Sequence, residues 1–349
     1  MNKNVLFITR KWPPAVGGME TYCAELVAAM KSQVNLSVEA LPGRESGAPP
    51  TALALIGFGL RSLVGLAGAR PKYDVIHAAD MAIWPLALAA SMRTPGAKIV
   101  LSAHGTDVAF ANRRGILPRL YRFYVRLGAR LLRNSTVLAN SRATATLLER
   151  HGFEHREIIP LAAKAAPASA QPPQPYLLFV GRLTKQKGCR WFIENVLPNL
   201  PEGLSLRVVG PVIDASEKIA LAAPRVAYHG PARGEELAQL RRNALAVIAP
   251  NIDSDPTYFE GFGLAATEAS AAGGVALAAN VFGLKDAVID GRTGYLLPAS
   301  EPEAWVQKIT AIADWTQEER EQFITRSVNE TAEFFSWSRV ARDTLAAYA

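Results

Sequence analysis

Short β-rich apolar runs alternate with stretches of helical period along nearly the whole chain. In the first half the runs fall at residues 5–9, 34–39, 74–77, 98–103, 136–139 and 158–160. In the second half they fall at 176–180, 205–209, 225–228, 245–249, 275–278 and 294–296. Strands separated by helices in this way predict α/β units built on parallel sheets. Residues 162–175 are rich in Ala and Pro and poor in large apolar side chains, which predicts an interdomain linker. Beyond Pro298 the period is helical throughout, ending in a helix over 334–348. Two doubly wound parallel-sheet domains are therefore expected, over 1–165 and 166–332, followed by a last helical segment over 333–349. The halves share this architecture but no sequence self-similarity. Ligands of doubly wound sheets bind beyond the carboxyl ends of the strands, so a cleft between two such domains is the expected site.

Composition narrows the class. A chain of 349 residues is long enough to bury two cores, and 49% hydrophobic with 20% charged residues argues against extended disorder. Cys23 and Cys189 are the only cysteines, so there is neither a disulfide framework nor a CxxC metal motif, and a reducing cytoplasm is expected. The apolar run at the N-terminus is too short for a signal peptide. The longest hydrophobic stretch, 51–69, contains Arg61 and is diluted by Gly and Ala, which predicts a crossover helix rather than a membrane span. The net charge of +7 is uneven: residues 1–170 carry +11 and the remainder −4. Any anionic partner surface is thereby assigned to the first half.

The candidate chemistry falls at strand ends. Gly17-Gly18 follows the first strand and opens a helix over 19–31, allowing close backbone contact with a ligand, although the full GxGxxG of a dinucleotide fold is absent. A tight turn without a ligand fits that signal as well. The fourth run delivers His104-Gly-Thr-Asp107 at its carboxyl end, a position that faces a cleft; His77 also ends a strand and is read as structural. In the second half, Gly181-Arg182-Leu-Thr-Lys-Gln-Lys187-Gly188 opens a strand-to-helix turn. Arg182 offers a rigid fork for phosphate oxygens and Lys187 a mobile point charge, both where helix amides add to their field. Solvated loop cations are the plainer alternative.

The richest segment is Glu260-Gly-Phe-Gly-Leu-Ala-Ala-Thr-Glu268. Gly261 and Gly263 let the backbone approach a ligand, and the amides opening the helix suit a diphosphate. Along a continuous helix the two carboxylates would stand roughly 12 Å apart, at about 1.5 Å of rise per residue. Paired glycosidase carboxyls need about 5–9.5 Å. These acids suit holding two ends of one polyhydroxylated ligand rather than sharing a proton; a loop glutamate beside a surface glutamate fits the spacing too. Asp253-Ser-Asp255 resembles a metal-holding DxD but is discounted, because Arg182 and Lys187 already suffice for a diphosphate.

In this order and spacing the chain resembles the retaining glycosyltransferases of family 4, also called glycosyl transferases group 1. The resemblance rests on Gly17-Gly18-Met-Glu-Thr, His104-Gly, Gly181-Arg182 with Lys187-Gly188, the Glu260–Glu268 segment, and the downstream Gly283, Asp290-Gly291 and Gly294-Tyr295, over residues 5–297. It implies the GT-B fold: two Rossmann-like domains facing a deep cleft, with a C-terminal helix crossing back to the first domain and packing there through Trp337 and Val340. It also implies roles. Arg182 and Lys187 would bind the donor diphosphate, with Gly181 and Gly17-Gly18 beside it. Glu260 would accept from donor sugar hydroxyls, the amides of Gly261, Phe262, Gly263 and Leu264 would meet sugar and phosphate, and Glu268 would hold the ribose. His104 would lie against the donor sugar near the reacting carbon. Tyr228, Gly230 and Arg233 would border the nucleobase; an acid at 233 would have suited guanine's donors, so UDP is favoured over GDP. Neither metal nor other cofactor is expected. The acceptor implied is a lipid-linked or cell-surface glycan precursor, such as a lipopolysaccharide or exopolysaccharide intermediate. A nucleotide-sugar epimerase of GT-B fold and a non-catalytic two-domain sugar-binding protein remain alternatives.

Between Asp107 and Glu149 there are eight arginines and no acid. Ile116, Leu120, Phe123, Tyr124, Leu127 and Leu131 fall on one helical face, with Arg119, Arg122, Arg126, Arg130 and Arg133 as an adjacent stripe. Such a helix suits the anionic inner face of a membrane. A core-packed helix with solvated arginines is the alternative. Nucleic acid is not expected, since no aromatic platform accompanies the charge.

Overall fold

The computed structural model describes residues 2–65, 72–165, 172–253 and 258–349. The chain divides into two compact units, Met1–Leu161 with Trp337–Ala349, and Ala162–Ser336. The divisions thus fall at 161/162 and 336/337, a few residues from the expected 165/166 and 332/333.

The first unit holds a parallel six-stranded sheet of β1 (Asn4–Trp12), β2 (Asn35–Pro42), β3 (Val75–Ala78), β4 (Lys98–Ala103), β5 (Thr136–Ala139) and β6 (Arg156–Ile158), in the order β2-β1-β3-β4-β5-β6. Val5, Leu6, Phe7 and Ile8 are all inaccessible. A strand covered by helices on both faces has no solvent side, so it reads as a continuous apolar run rather than an alternation. β1 runs on to Trp12, past the apolar run that ended the expected strand at Thr9, because its ladder to β2 continues to the Trp12–Pro42 pair.

The second unit repeats the plan with β7 (Gln174–Val180), β8 (Ser205–Val209), β9 (Val226–Gly230), β10 (Ala244–Ala249), β11 (Ala276–Ala279) and β12 (Tyr295–Leu297), ordered β12-β11-β10-β7-β8-β9 and parallel throughout. Gln174 and Pro175, assigned to a linker by composition, already belong to β7, while residues 166–171 of that segment lie outside the described residues. In each sheet the order reverses beside the first strand: between β1 and β3, and between β7 and β10. Those reversals are where side chains from distant stretches of sequence meet beyond the strand ends.

After β12 come helices Pro302–Ala313, Gln317–Phe334 and Trp337–Ala347. Phe334 closes the middle helix instead of opening the last, because Phe335 leaves helical geometry (φ −121°, ψ 42°) and caps an 18-residue helix whose start is set by a capping box of Thr316 and Glu319. The last helix belongs to the first unit. Val340 is inaccessible, Trp337 lies 6.4 Å from the Tyr22 ring, and the Tyr348 hydroxyl meets His77 Nδ1 at 2.7 Å. His77 Nε2 in turn meets the Ser102 hydroxyl at 2.7 Å, which also meets the Tyr22 hydroxyl at 2.7 Å. His77 is therefore the structural residue expected, with both ring nitrogens committed in a buried polar chain. The stretch expected to be a crossover forms helix Ala52–Gly65, and residues 66–69 lie outside the described residues. Among the described residues no helix is long and apolar enough to cross a membrane.

Burial lowers His77 to about 3, with the His104 ring adding to the fall. Burial first, then Arg126 and Arg122, lowers His151 to about 4. Both folded values lie below the ~6.5 of an unfolded histidine, so the unfolded chain takes up protons first as pH falls. Their stabilisation is complete above about pH 6.5 and is lost on acidification toward their folded values. Urea unfolding of the first unit should lose about 2 kcal/mol from His77 alone between pH 7 and 4.5, and His151→Gln should lessen the slope. A midpoint that stays constant over that range would contradict both assignments.

Candidate functional site

The second unit gathers its polar motifs at the reversal between β7 and β10. β7 is followed by Gly181 and the exposed Arg182, and the chain then makes a short 3-10 turn, Lys185–Lys187, before helix Cys189–Asn195. Gly188 joins the two in the left-handed region, φ 71°, where a Cβ would run into the Pro250 carbonyl beyond β10. Glycine here permits the β7 turn to lie against the end of β10. Lys187, whose side chain is largely buried, is thereby aimed across the reversal at the loop following β10, where it forms an ion pair with Glu260. Asn251, just past β10, donates from Nδ2 to the same Glu260 oxygen at 3.1 Å. Glu260 is held from behind as well, because its carbonyl accepts from the Gly283 amide at 3.0 Å. A side chain at Gly283 would collide with the Gly261 carbonyl, so this close backbone approach requires glycine. The charged groups from the two motifs, 73 residues apart, form one cluster.

Glu268 lies on helix Leu264–Ala271, which Gly263 caps at its N-terminus, so Gly261 and Phe262 lead into its opening. The carboxylate is paired through Oε2 with Arg241 from helix Gly234–Asn243. Of the remaining residues, Tyr228 lies in β9 and donates its hydroxyl to the Gly210 carbonyl at 2.9 Å. Gly230 ends β9 and accepts the Gly210 amide at 2.9 Å, while Arg233 stands immediately before helix Gly234–Asn243. Gly210 follows β8, so these three residues frame the ends of β8 and β9 beside the cluster at β7 and β10.

In the first unit Gly17-Gly18 opens helix Gly18–Met30, and Glu20 one turn in is paired with Lys11 at 3.2 Å. His104 follows β4 and is nearly buried. Its Nε2–H donates to the Ala79 carbonyl at 2.8 Å, its ring meets Tyr22 edge-on at 4.7 Å, and its carbonyl accepts from Asn140 at 3.2 Å. That use of Nε2 leaves Nδ1 as the other ring nitrogen for a ligand. Asp107 accepts the amides of His104 at 2.9 Å and Met81 at 3.2 Å, tying the His104 loop to the end of β3. Burial raises the Asp107 carboxyl; neighbouring His104 and the two amides oppose the rise, and Asp80 adds to it. Asp80 is itself forked by Arg10 at 3.1 Å. His104, Ser102, Tyr22, Asn140, Ile159 and Leu161 line a small pocket beyond β4 and β5.

Asn251, Arg241, Asp80 and Arg10 carry no local signature in the sequence. They stand out only once strand order brings them to the motifs. Of Asp253-Ser-Asp255, residues 254 and 255 lie outside the described residues, and Asp253 is exposed. Among the described residues no three His, Cys, Asp or Glu side chains are grouped to hold a metal ion.

Residues 16–162 match the model of Glycosyltransferase Family 4, and residues 174–314 match that of Glycosyl transferases group 1. A D-inositol 3-phosphate glycosyltransferase of Paenarthrobacter aurescens is 31% identical over 189 residues, 51% of this chain and 44% of that protein. The chain thus spans less than half the length of that relative. Among solved structures, Anabaena Alr3699/HepE in complex with UDP and glucose superposes with TM-score 0.73 at 15% identity, covering 99% of both chains. Sucrose-phosphate synthase of Thermosynechococcus elongatus superposes with TM-score 0.74 at 18% identity, over 99% of this chain and 98% of that one. At these identities the likeness is one of fold, and that fold is GT-B. With two consecutive family models covering both units, the chain belongs to the family 4, or group 1, glycosyltransferases.

Proposed function

We propose that the chain transfers a hexose-type sugar from a nucleotide-sugar donor to an acceptor hydroxyl, with retention at the anomeric carbon. The observation that carries this reading is the convergence of Lys187, Asn251 and Glu260 at the strand-order reversal of the second sheet. In the proposed donor complex Arg182 and Lys187 take the diphosphate, and Gly181 and the opening amides of 261–264 complete its cradle. Glu260 exchanges Lys187 for sugar hydroxyls, with Asn251 keeping its carboxylate in place. Glu268, with one oxygen on Arg241, turns the other to the ribose. His104 and Gly17-Gly18 serve the reacting end of the donor. The acceptor oxygen attacks the anomeric carbon as its bond to the diphosphate breaks. The bonding pair leaves on the diphosphate, and a phosphate oxygen on the same face takes the acceptor proton. No side chain need act as nucleophile, so stabilisation of the leaving charge carries most of the rate. Arg182 and Lys187 supply that charge without a divalent ion.

Uridine is the favoured base. Arg233 lacks the acceptor oxygens that would pair with guanine's donors, and HepE, which shares the fold, holds UDP. For the acceptor we favour a lipid-linked or cell-surface glycan precursor met from the cytoplasmic side. A phosphorylated polyol is the second reading, supported by the name of the inositol-phosphate relative. Thermal denaturation with a panel of UDP- and GDP-sugars tests the donor. At about 100 times Kd, a ligand that binds only the folded state adds about 2.7 kcal/mol, which raises the melting temperature by roughly 5–10 °C. UDP-sugars should give that shift and GDP-sugars little. No shift with any nucleotide sugar would overturn the donor site.

A further inference from the structure

Helix Ile116–Leu131 is built inside out for a core helix. Its inward face is made mostly of small or polar-tipped residues: Pro118, Val125, Gly128 and Ala129 are buried, and Tyr121 and Tyr124 turn in to donate to the Asp107 and Ala82 carbonyls, each at 2.7 Å. Its large aliphatic and aromatic side chains face outward: Ile116 is 75% exposed and Phe123 68%, with Leu117, Leu120, Leu127 and Leu131 also exposed. Tyr124, counted with that apolar stripe from its spacing, belongs to the inner face. Arg119, Arg126 and Arg130 are exposed beside the stripe, whereas Arg122 is spent in part on the Ala111 carbonyl at 2.9 Å.

The outward apolar face extends beyond this helix. Helix Ala52–Gly65 exposes Leu53, Ile56 and Leu60 at helical spacing, with Leu53 81% exposed, and helix Trp84–Arg93 exposes Met92 at 75%. These helices connect β2 to β3, β3 to β4 and β4 to β5, all in one direction across the sheet, so right-handed crossovers lay them on one face. They form one layer. The first packs on the second, and Trp84 of the second packs on Tyr124 of the third, ring centroids 5.1 Å apart. Over residues 46–148 the chain carries thirteen Lys and Arg against three acids, of which Asp80 and Asp107 are buried.

We propose that the outer side of this three-helix layer is a docking platform for an anionic bilayer, with the apolar stripes entering the headgroup boundary and the arginines engaging lipid phosphates. Charge complementarity selects this occupant. A protein partner of mixed charge leaves the one-sided surplus unmatched, and a second copy of this chain would oppose arginine to arginine. The proposal deepens the lipid-linked acceptor reading and rests on it for its purpose, though not for its measurement.

The full chain is floated with phosphatidylcholine vesicles with and without 30% phosphatidylglycerol, in the absence of donor and acceptor. It should rise with the anionic vesicles at low salt, and at least tenfold less with neutral vesicles or in 0.5 M salt. R119E/R126E/R130E should weaken the anionic binding roughly 100-fold, given about a fivefold factor per arginine near the surface. L53S/I56S/L60S should also release the protein although it removes no charge, because the platform needs both outer helices. Sedimentation velocity and circular dichroism on the same samples report oligomeric state and folding. Wild-type protein left unbound by anionic vesicles would overturn the proposal. So would full binding by the folded L53S/I56S/L60S variant, or a wild-type dimer that this variant dissociates. The nucleotide-sugar melting shift, read on the same preparations, reports the donor site separately.

Discussion

Lys187→Ala is expected to lower glycosyl transfer by about 100- to 1,000-fold while the protein stays folded, the range for removing one preorganised group that stabilises developing charge. Lys187 reaches its position because the 3-10 turn ends at Gly188, whose left-handed backbone lets the turn lie against the end of β10. Glu260→Gln keeps the shape and the Asn251 contact but removes the negative charge that pairs with Lys187, and should also lower transfer strongly. Because the ion pair must part when the donor enters, it stabilises only the free enzyme, and the double variant should lose more than the product of the two separate losses. Steady-state kinetics with a UDP-sugar, alongside thermal melting of each variant, measures this. Wild-type rates in either folded single variant would mean that the cluster is not the donor site. Fully multiplicative losses would mean that the two groups act independently.

The largest structural effect is expected from Trp305→Ala. Trp305 is inaccessible, lies edge-on to Phe192 and Trp191 at 5.9 and 6.2 Å between ring centroids, and donates its Nε1–H to the Pro298 carbonyl at 3.0 Å. Truncation leaves a large cavity and an unpaired carbonyl, costing about 3–5 kcal/mol. The melting transition of the second unit should fall by roughly 10 °C, at about 2–4 °C per kcal/mol for a unit of this size. The transition of the first unit should hold. Trp305→Phe, which keeps most of the packing and loses the hydrogen bond, should fall between the two. A calorimetric scan in which both transitions move together would show that the units unfold as one.

Most of the architecture was legible because it is local. Buried parallel strands are short apolar runs, and Gly, Arg and Lys after them mark turns that can admit a ligand. The C-terminal boundary was misplaced because helical period runs unbroken through Phe334 and Trp337. Only the break at Phe335 and Ser336 divides it. Linker composition likewise hid the first residues of β7, since strand pairing, and not local preference, recruits Gln174 and Pro175.

For the site the division is sharper. The sequence by itself determined which residue types stand at strand ends: two glutamates around a glycine-rich helix entry, two cations after β7, a histidine after β4. Tertiary structure alone decided their partners. Lys187 meets Glu260 because the strand order reverses between β7 and β10, and Asn251 and Arg241, silent in the sequence, are brought to the two carboxylates by the same topology. Periodicity could place Phe123 and its neighbours on one face of a helix, but it has no sign. Whether that face turned to the core or to solvent was settled by Tyr121, Tyr124 and Gly128 packing inward, a choice made by contacts far apart in the chain.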